Sequence, residues 1–138
     1  MSSVTINEAR DAVYERFLAQ WTATPATAYT FENEKFDPPA GIPWVRVTVR
    51  NIGSTQACLG PPGNRRFRRS ALGFAQIFTP ADTGTKDSDT LAAAFAAIFE
   101  AVSFDGLDFR AASSREVGVD DGWHLTLVEV PFEYEEIK

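Results

Sequence analysis

The sequence predicts a single α+β domain, in which two helices pack on a mostly antiparallel sheet of about five strands. Apolar residues recur at three- and four-residue steps near residues 6–22 and 88–102, which is typical of amphipathic helices. They alternate with polar residues at 29–35, 44–50 and 123–134, which is typical of strands. The predicted order is helix, three strands, helix, two strands. Because the 138 residues are 44% hydrophobic, we expect one compact domain over 1–138.

Both predicted helices carry sequence signals at their starts. Thr5 and Glu8 form a capping-box pattern, and the helix that follows is expected to reach about residue 22, before Pro25. Asp87 or Ser88 is expected to cap the second helix, which extends to about residue 102. Its many alanines give strong helix propensity and allow close packing on a sheet.

The strands are predicted from alternation and from their turns. In 44–50, Val45, Val47 and Val49 share one face, which we expect to be core. Residues 68–79 are expected to form a strand covered on both sides, with a bulge at Gly73. The Asp121-Gly122 step predicts a hairpin between a weak strand at 109–117 and a strong one at 123–134. Pro131 indicates a sheet edge or a bulge there, and residues 51–64 are expected to form a long loop.

Charge is sorted along the chain. Residues 43–80 contain six arginines and no acidic residue, whereas 1–42 carry −3 and 81–138 carry −9, for a net charge of −6. Four of the arginines, Arg65, Arg66, Arg68 and Arg69, surround Phe67. Sorting of this kind concerns association and partners rather than fold.

No pattern of catalytic or metal-binding residues accompanies these charges. His124 is the only histidine and has no nucleophile context around it, so we expect no enzyme. A single cysteine, Cys58, excludes an intramolecular disulfide and fits a reducing compartment. We expect no metal and no cofactor, since no ligand cluster and no phosphate-binding glycine motif is present. No segment is predicted to span a membrane or to direct export.

The arginine cluster admits three interpretations. The cluster could belong to a solvated loop, bind nucleic acid, or contact an acidic protein surface. A pI near 4.7 opposes the broad positive field of a nucleic-acid binder, so an acidic protein partner is the more economical interpretation. The acidic C-terminal third of a neighbouring copy is one such partner, which would make the contact heterologous and favour a ring. The predicted protein interface comprises Arg46, Arg50, Arg65, Arg66, Phe67, Arg68, Arg69, Asp120, Asp121, Glu133, Glu135 and Glu136.

Several segments together resemble the phage tail terminator proteins, which complete long non-contractile tails. The similarity lies in the opening helix at 6–12, the strand at 44–49, the arginine-rich entry at 65–69 and the strand at 73–80 that leads into the alanine-rich helix. Other phage neck and head-tail joining proteins share this small α+β organisation.

The resemblance implies a structural virion protein in the phage tail, assembled in the host cytoplasm. It implies a homo-oligomeric ring, most simply a hexamer, that caps the tail tube, stops its polymerisation and offers a docking surface to the head-tail connector protein. The expected partners are therefore further copies of the chain, the major tail tube protein and the connector. DNA would pass through the channel without specific binding, and no membrane is involved.

Overall fold

The computed structural model describes residues 3–21, 28–37, 41–82 and 84–138, with Asp120 described by its backbone alone. In chain order the elements are α1 (Ile6–Gln20), β1 (Ala28–Phe31), β2 (Trp44–Gln56), β3 (Arg66–Pro80), α2 (Lys86–Phe99), β4 (Ser103–Phe104), β5 (Leu107–Phe109), β6 (Ser113–Asp120) and β7 (Trp123–Ile137). The predicted α+β class with two helices is confirmed.

The capping box that begins α1 is formed as predicted. The Thr5 backbone N–H donates to Glu8 Oε1 at 3.0 Å, and the Glu8 N–H donates to Thr5 Oγ1 at 3.2 Å. The cap of α2 differs from the prediction, because the helix begins one residue before Asp87, with Thr85 at the N-cap. Ser88 lies within the first turn and donates its hydroxyl hydrogen to the Thr85 carbonyl at 2.9 Å.

Over the described residues the sheet has seven strands rather than about five, in the order β1-β2-β3-β7-β5-β4, with β6 also paired to β7. The β1–β2 pair is parallel and the other pairs are antiparallel, so the sheet is mixed. The additional strands β4 and β5 are two and three residues long, too short for alternation to reveal them.

The core lies between the helices and one face of the sheet. Val45, Val47 and Val49 are buried on this face, as predicted. In the register of the sheet they neighbour Ile77 and Ala75 on β3, and through β3 they align with Val128 and Val130 on β7. The largest side chains that fill the core are Phe17, Phe95, Phe99 and Phe132.

The predicted loop at 51–64 is wrong for its first six residues, 51–56. β2 continues to Gln56 and β3 already begins at Arg66, so the connection is residues 57–65. The glycine and the polar residues of 51–56 have low strand propensity, but pairing with β3 overrides it. Residues 51–66 thus form the end of a long hairpin, which we call the β2–β3 arm.

Bulges occur at positions other than the predicted one. Gly73 stays in register, opposite Val49 on β2 and Val130 on β7. The register shifts instead between Asn51 and Gly53, where Ile52 is the extra residue, and between Glu116 and Gly118.

The predicted β6–β7 hairpin is confirmed. Asp121 and Gly122 both have positive φ, 50° and 81°, as a tight two-residue hairpin turn requires. β7 is central in the sheet, yet Pro131 lies where its neighbour changes from β6, which pairs up to Glu129, to β5, which pairs from Phe132. The Pro131 carbonyl accepts from Arg110 N–H at 2.8 Å on that side, so the missing N–H of the proline faces the gap.

Candidate protein interface

The predicted arginines and glutamates lie opposite each other on β3 and β7. Arg68 pairs in register with Glu135, and Phe67 pairs with Glu136. Successive side chains along a strand point to opposite faces of the sheet and directly opposed residues share a face, so the charged side chains divide into two groups. Arg69 and Glu136 lie on the face that carries the core, whereas Arg66, Arg68 and Glu135 lie on the opposite, open face.

Arg69 is more enclosed than Arg66 and Arg68. Its Nε and Nη2 donate to Glu136 Oε1 at 3.2 and 2.8 Å, and its Nη1 donates to Ser54 Oγ at 2.9 Å. Its guanidinium lies 5.4 Å from the centre of the Phe67 ring. The Arg69 and Glu136 side chains are only 15% and 14% exposed, which makes this pair a structural link between the arm and β7.

Arg66 and Arg68 share Glu135 on the open face. Arg66 Nε lies 3.2 Å from Glu135 Oε2, close enough for an ion pair but without hydrogen-bond alignment. Arg68 Nη2 lies 3.5 Å from Glu135 Oε1. The side chains of both arginines are more than a third exposed, so each pair contributes little to folding. Arg65 continues the strand pairing through its carbonyl, which accepts from Lys138 N–H at 2.8 Å.

The charge complementarity that the sequence suggested between two copies is therefore met within one chain. Each of the three glutamates of the predicted interface has an arginine of the same chain within 4.0 Å, since Glu133 pairs with Arg110 at 3.4 Å. These pairs reduce the positive field at residues 65–69. Whether the same residues contact a second protein stays a prediction.

Arg46 and Arg50 lie apart from the cluster, on the open face of β2. The Arg46 guanidinium is 5.2 Å from the Trp44 ring centre and 5.8 Å from that of Phe78, and Arg50 is 5.4 Å from that of Phe74. The two arginines line a shallow cavity of about 300 Å³ together with Glu32 and Glu34. The structure thus separates Arg46 and Arg50 from the residues 65–69 with which they were grouped.

The other predicted acidic residues lie at the far end of the sheet. Asp121 is exposed in the β6–β7 turn, and the Asp120 backbone pairs with Trp123 at the end of β6. The Asp120 side chain falls outside the described part of the structure. These two positions are remote from Arg66 and Arg69, which pair near the other end of β7.

A buried tyrosine connects the arm to the core beside the Arg69–Glu136 pair. Tyr134 donates its hydroxyl hydrogen to Asn51 Oδ1 at 2.9 Å. Burial raises the pKa of Tyr134 above its usual range; Arg69 lowers it and Glu136 raises it, both to a smaller extent. The phenol is thereby held in its neutral, hydrogen-donating form.

The β2–β3 arm is an exposed surface that lies mostly outside the predicted interface residues. Residues 50–64 are all exposed, and Leu59 near the tip is 91% exposed. The signal was present, since residues 51–64 contain no charged side chain although 23% of the whole chain is charged. A long uncharged segment that is exposed is unusual on a protein surface.

Neither His124 nor any other described residue forms a recognisable catalytic or metal site. His124 lies at the start of β7, opposite Thr79 and Val119. Within the described ranges, no group of three or more His, Cys, Asp or Glu residues has the spacing of a metal site. Over the same residues, neither helix is long and apolar enough to cross a membrane.

Comparisons with known proteins support the fold and identify a protein family that the sequence matches. Residues 8–121 match the sequence profile of the family described as Phage tail terminator protein. One solved structure, of a protein without a descriptive name, superposes with a TM-score of 0.67 at 21% sequence identity, over 93% of this chain and 94% of the other. At this identity the likeness supports the fold alone. No curated protein matches the sequence.

Proposed function

Since this chain belongs to the phage tail terminator family, we propose that it forms a ring that caps the tail tube, stops tube polymerisation and presents a docking surface to the head-tail connector. The observation that carries the proposal is the family match over residues 8–121, which includes α2, the strands β1 to β6 and all but the first two residues of α1. The family supports a structural role in the phage tail rather than an enzymatic one.

The charge pattern supports a protein contact more than a nucleic-acid contact. Glu135 and Glu136 lie beside Arg66, Arg68 and Arg69 and would repel a phosphate backbone. The exposed arm offers a second, uncharged surface suited to a protein partner. DNA would then pass the ring without being held by these arginines.

Other positions in the phage neck remain the alternative within the same structural class. The distinguishing property of a terminator is that it binds the end of a tube and not the growing assembly as a whole. We therefore assign the protein to the tube end, with the tube protein on one face of the ring and the connector on the other.

Light scattering after size-exclusion chromatography tests the ring, because it measures mass independently of shape. We expect the mass of a small closed oligomer, most simply six copies of the 15.2 kDa chain, and annular particles by electron microscopy. A strict monomer, both alone and with tube protein, would contradict the proposal.

A further inference from the structure

We propose that the ring closes by pairing the free edge of the β2–β3 arm with the free edge of β6 on the next copy. This inference rests on the proposed function, since it specifies how the ring is held together. The partner is a second copy of this chain, and the contact is made by backbone hydrogen bonds with apolar side chains around them.

Both edges are unoccupied in the described part of the chain. β1 pairs with β2 only along Trp44–Val47, so β2 beyond Val47 pairs with β3 alone. β6 pairs with β7 on one side and with no other described strand. The two end strands of the sheet, β1 and β4, also have a free edge in the described residues, but they are only four and two residues long. An unpaired edge is a template for another strand, and the single bulge in each of these two edges, at Ile52 in the arm and at Val117 in β6, leaves regular strand residues beyond it for pairing.

Some backbone N–H and C=O groups of the arm point away from β3, toward the free edge. The Ala57 N–H donates to the Arg66 carbonyl at 2.7 Å, so Ala57 faces β3. Alternate residues of an antiparallel strand point to opposite sides, which directs the N–H and C=O of Gln56 and Ser54 away from β3. These groups have no backbone partner among the described residues, and none of residues 51–56 carries a charge that would discourage pairing.

Exposed apolar side chains concentrate at the same two edges. Ile52 of the arm is 57% exposed, and Val117 and Val119 of β6 are 57% and 64% exposed. Together with Leu59 they make up half of the eight large hydrophobic side chains exposed in the described residues. Pairing the edges would cover these side chains, which a monomer leaves in water.

The topology allows the contact to repeat around a ring. The arm and β6 lie at opposite sides of the sheet, so the contact is heterologous and leaves one free edge of each kind on every added copy. The pairs β2–β3, β3–β7 and β7–β6 are each antiparallel, so β6 is antiparallel to β2. A neighbouring copy in the same orientation therefore offers its β6 as an antiparallel partner to the arm.

The two edges also differ in their position along the strands. Through β3, the arm aligns with Phe132–Glu136 of β7, whereas β6 aligns with Trp123–Glu129. The offset is about eight residues, or roughly 26 Å. Copies related by rotation about a ring axis are not shifted along that axis. Because pairing the two edges shifts neighbouring copies along the strand direction, the strands must be inclined to the ring axis.

Replacing Gln56 with proline tests the pairing. Gln56→Pro removes an outward N–H without removing a β2–β3 hydrogen bond, and an edge strand tolerates such a proline. Gln56→Ala is the matched control, because it keeps the N–H and also loses the amide that donates to the Cys58 carbonyl. Analytical ultracentrifugation of both variants should show the concentration for half-assembly raised about tenfold or more in Gln56→Pro, and by less than about twofold in Gln56→Ala.

Cross-linking provides a second readout in a protein that folds normally. Cys58 is exposed in the arm, so adding Val119→Cys and a short bismaleimide should give a ladder of covalent oligomers that ends at the ring size. Ala97→Cys, exposed on α2, is the control and should give no ladder. Rings in wild type and Gln56→Pro alike, without a ladder, would overturn the edge pairing while leaving the ring intact. A wild-type protein that never forms rings would instead remove the proposed function itself.

Discussion

Arg68 and Arg69 are adjacent in sequence but have different surroundings, and their removal should have different costs. Arg69 is enclosed with Glu136 and also binds Ser54, whereas Arg68 is exposed. We expect Arg69→Ala to lower the free energy of unfolding by about 2–3 kcal/mol, because it leaves Glu136 without its cation. Arg68→Ala, the matched control, should change it by less than about 0.5 kcal/mol. Urea denaturation measures both, and equal losses would contradict the assigned environments.

Tyr134 makes stability depend on alkaline pH. Its pKa is raised by burial, and so is that of Tyr14, so the folded state favours the neutral phenols. Their contribution is complete below the pKa of the unfolded chain, near 10, and is lost as the pH rises through the higher pKa values of the folded state. The free energy of unfolding should therefore fall above about pH 10.

Tyr134→Phe separates the hydrogen bond from the titration. At pH 8 the variant should lose about 1 kcal/mol, since Asn51 loses its donor. Between pH 8 and 11 it should lose less further stability than wild type, because one of the two raised phenols is gone. An unchanged alkaline decrease would show that Tyr134 does not cause it.

The contacts of individual charged residues could be predicted from the sequence only in part, because composition shows which charges are present but not which residues pair. The sorted charges indicated that arginines and glutamates form complementary groups, and the structure pairs them. Sequence could not show that Arg69 meets Glu136 within one chain, because that depends on the register between β3 and β7.

Replacing glycine with alanine should change stability in opposite directions at Gly73, which lies in a strand, and at Gly122, which lies in a turn. Gly73 lies in regular β3, and an added Cβ would meet Phe109 Cε2 at 3.7 Å, an ordinary contact. Gly73→Ala should be neutral or stabilise by up to about 1 kcal/mol. Gly122 has φ of +81° in the β6–β7 turn, so Gly122→Ala should cost about 1 kcal/mol. Thermal unfolding compares them, and a strong loss at Gly73 would mean the space beside Phe109 is smaller than described.

Elements with strong local signals were predicted, and those set by tertiary pairing were not. The capping box and apolar stripe identified α1, and the Asp121-Gly122 step identified the hairpin that joins β6 to β7. The arm was mistaken for a loop because residues 51–56 resemble a loop in composition, and only their pairing with β3 makes them a strand. The parallel placement of β1 also depends on the fold as a whole.

The whole molecule should assemble with little dependence on salt. Arg66, Arg68 and Arg69 already have glutamate partners in the same chain, and in the proposed contact between copies the arm's edge carries no charge, so the charged residues of β6 meet no opposite charge across it. Raising the ionic strength from about 0.05 to 0.5 M, which screens exposed charges, should leave the ring intact. Mass photometry across that range checks this. Dissociation at high salt would indicate that charges hold the copies together, as the sequence alone had suggested.

The length of tail tubes tests the central claim most directly. Tube protein polymerised in the presence of increasing amounts of this protein should give shorter tubes, each with a ring at one end by electron microscopy. The mean length should fall as the ratio of this protein to tube protein rises, because capped ends stop growing. Tubes of unchanged length with bare ends, at every ratio, would contradict a terminator role.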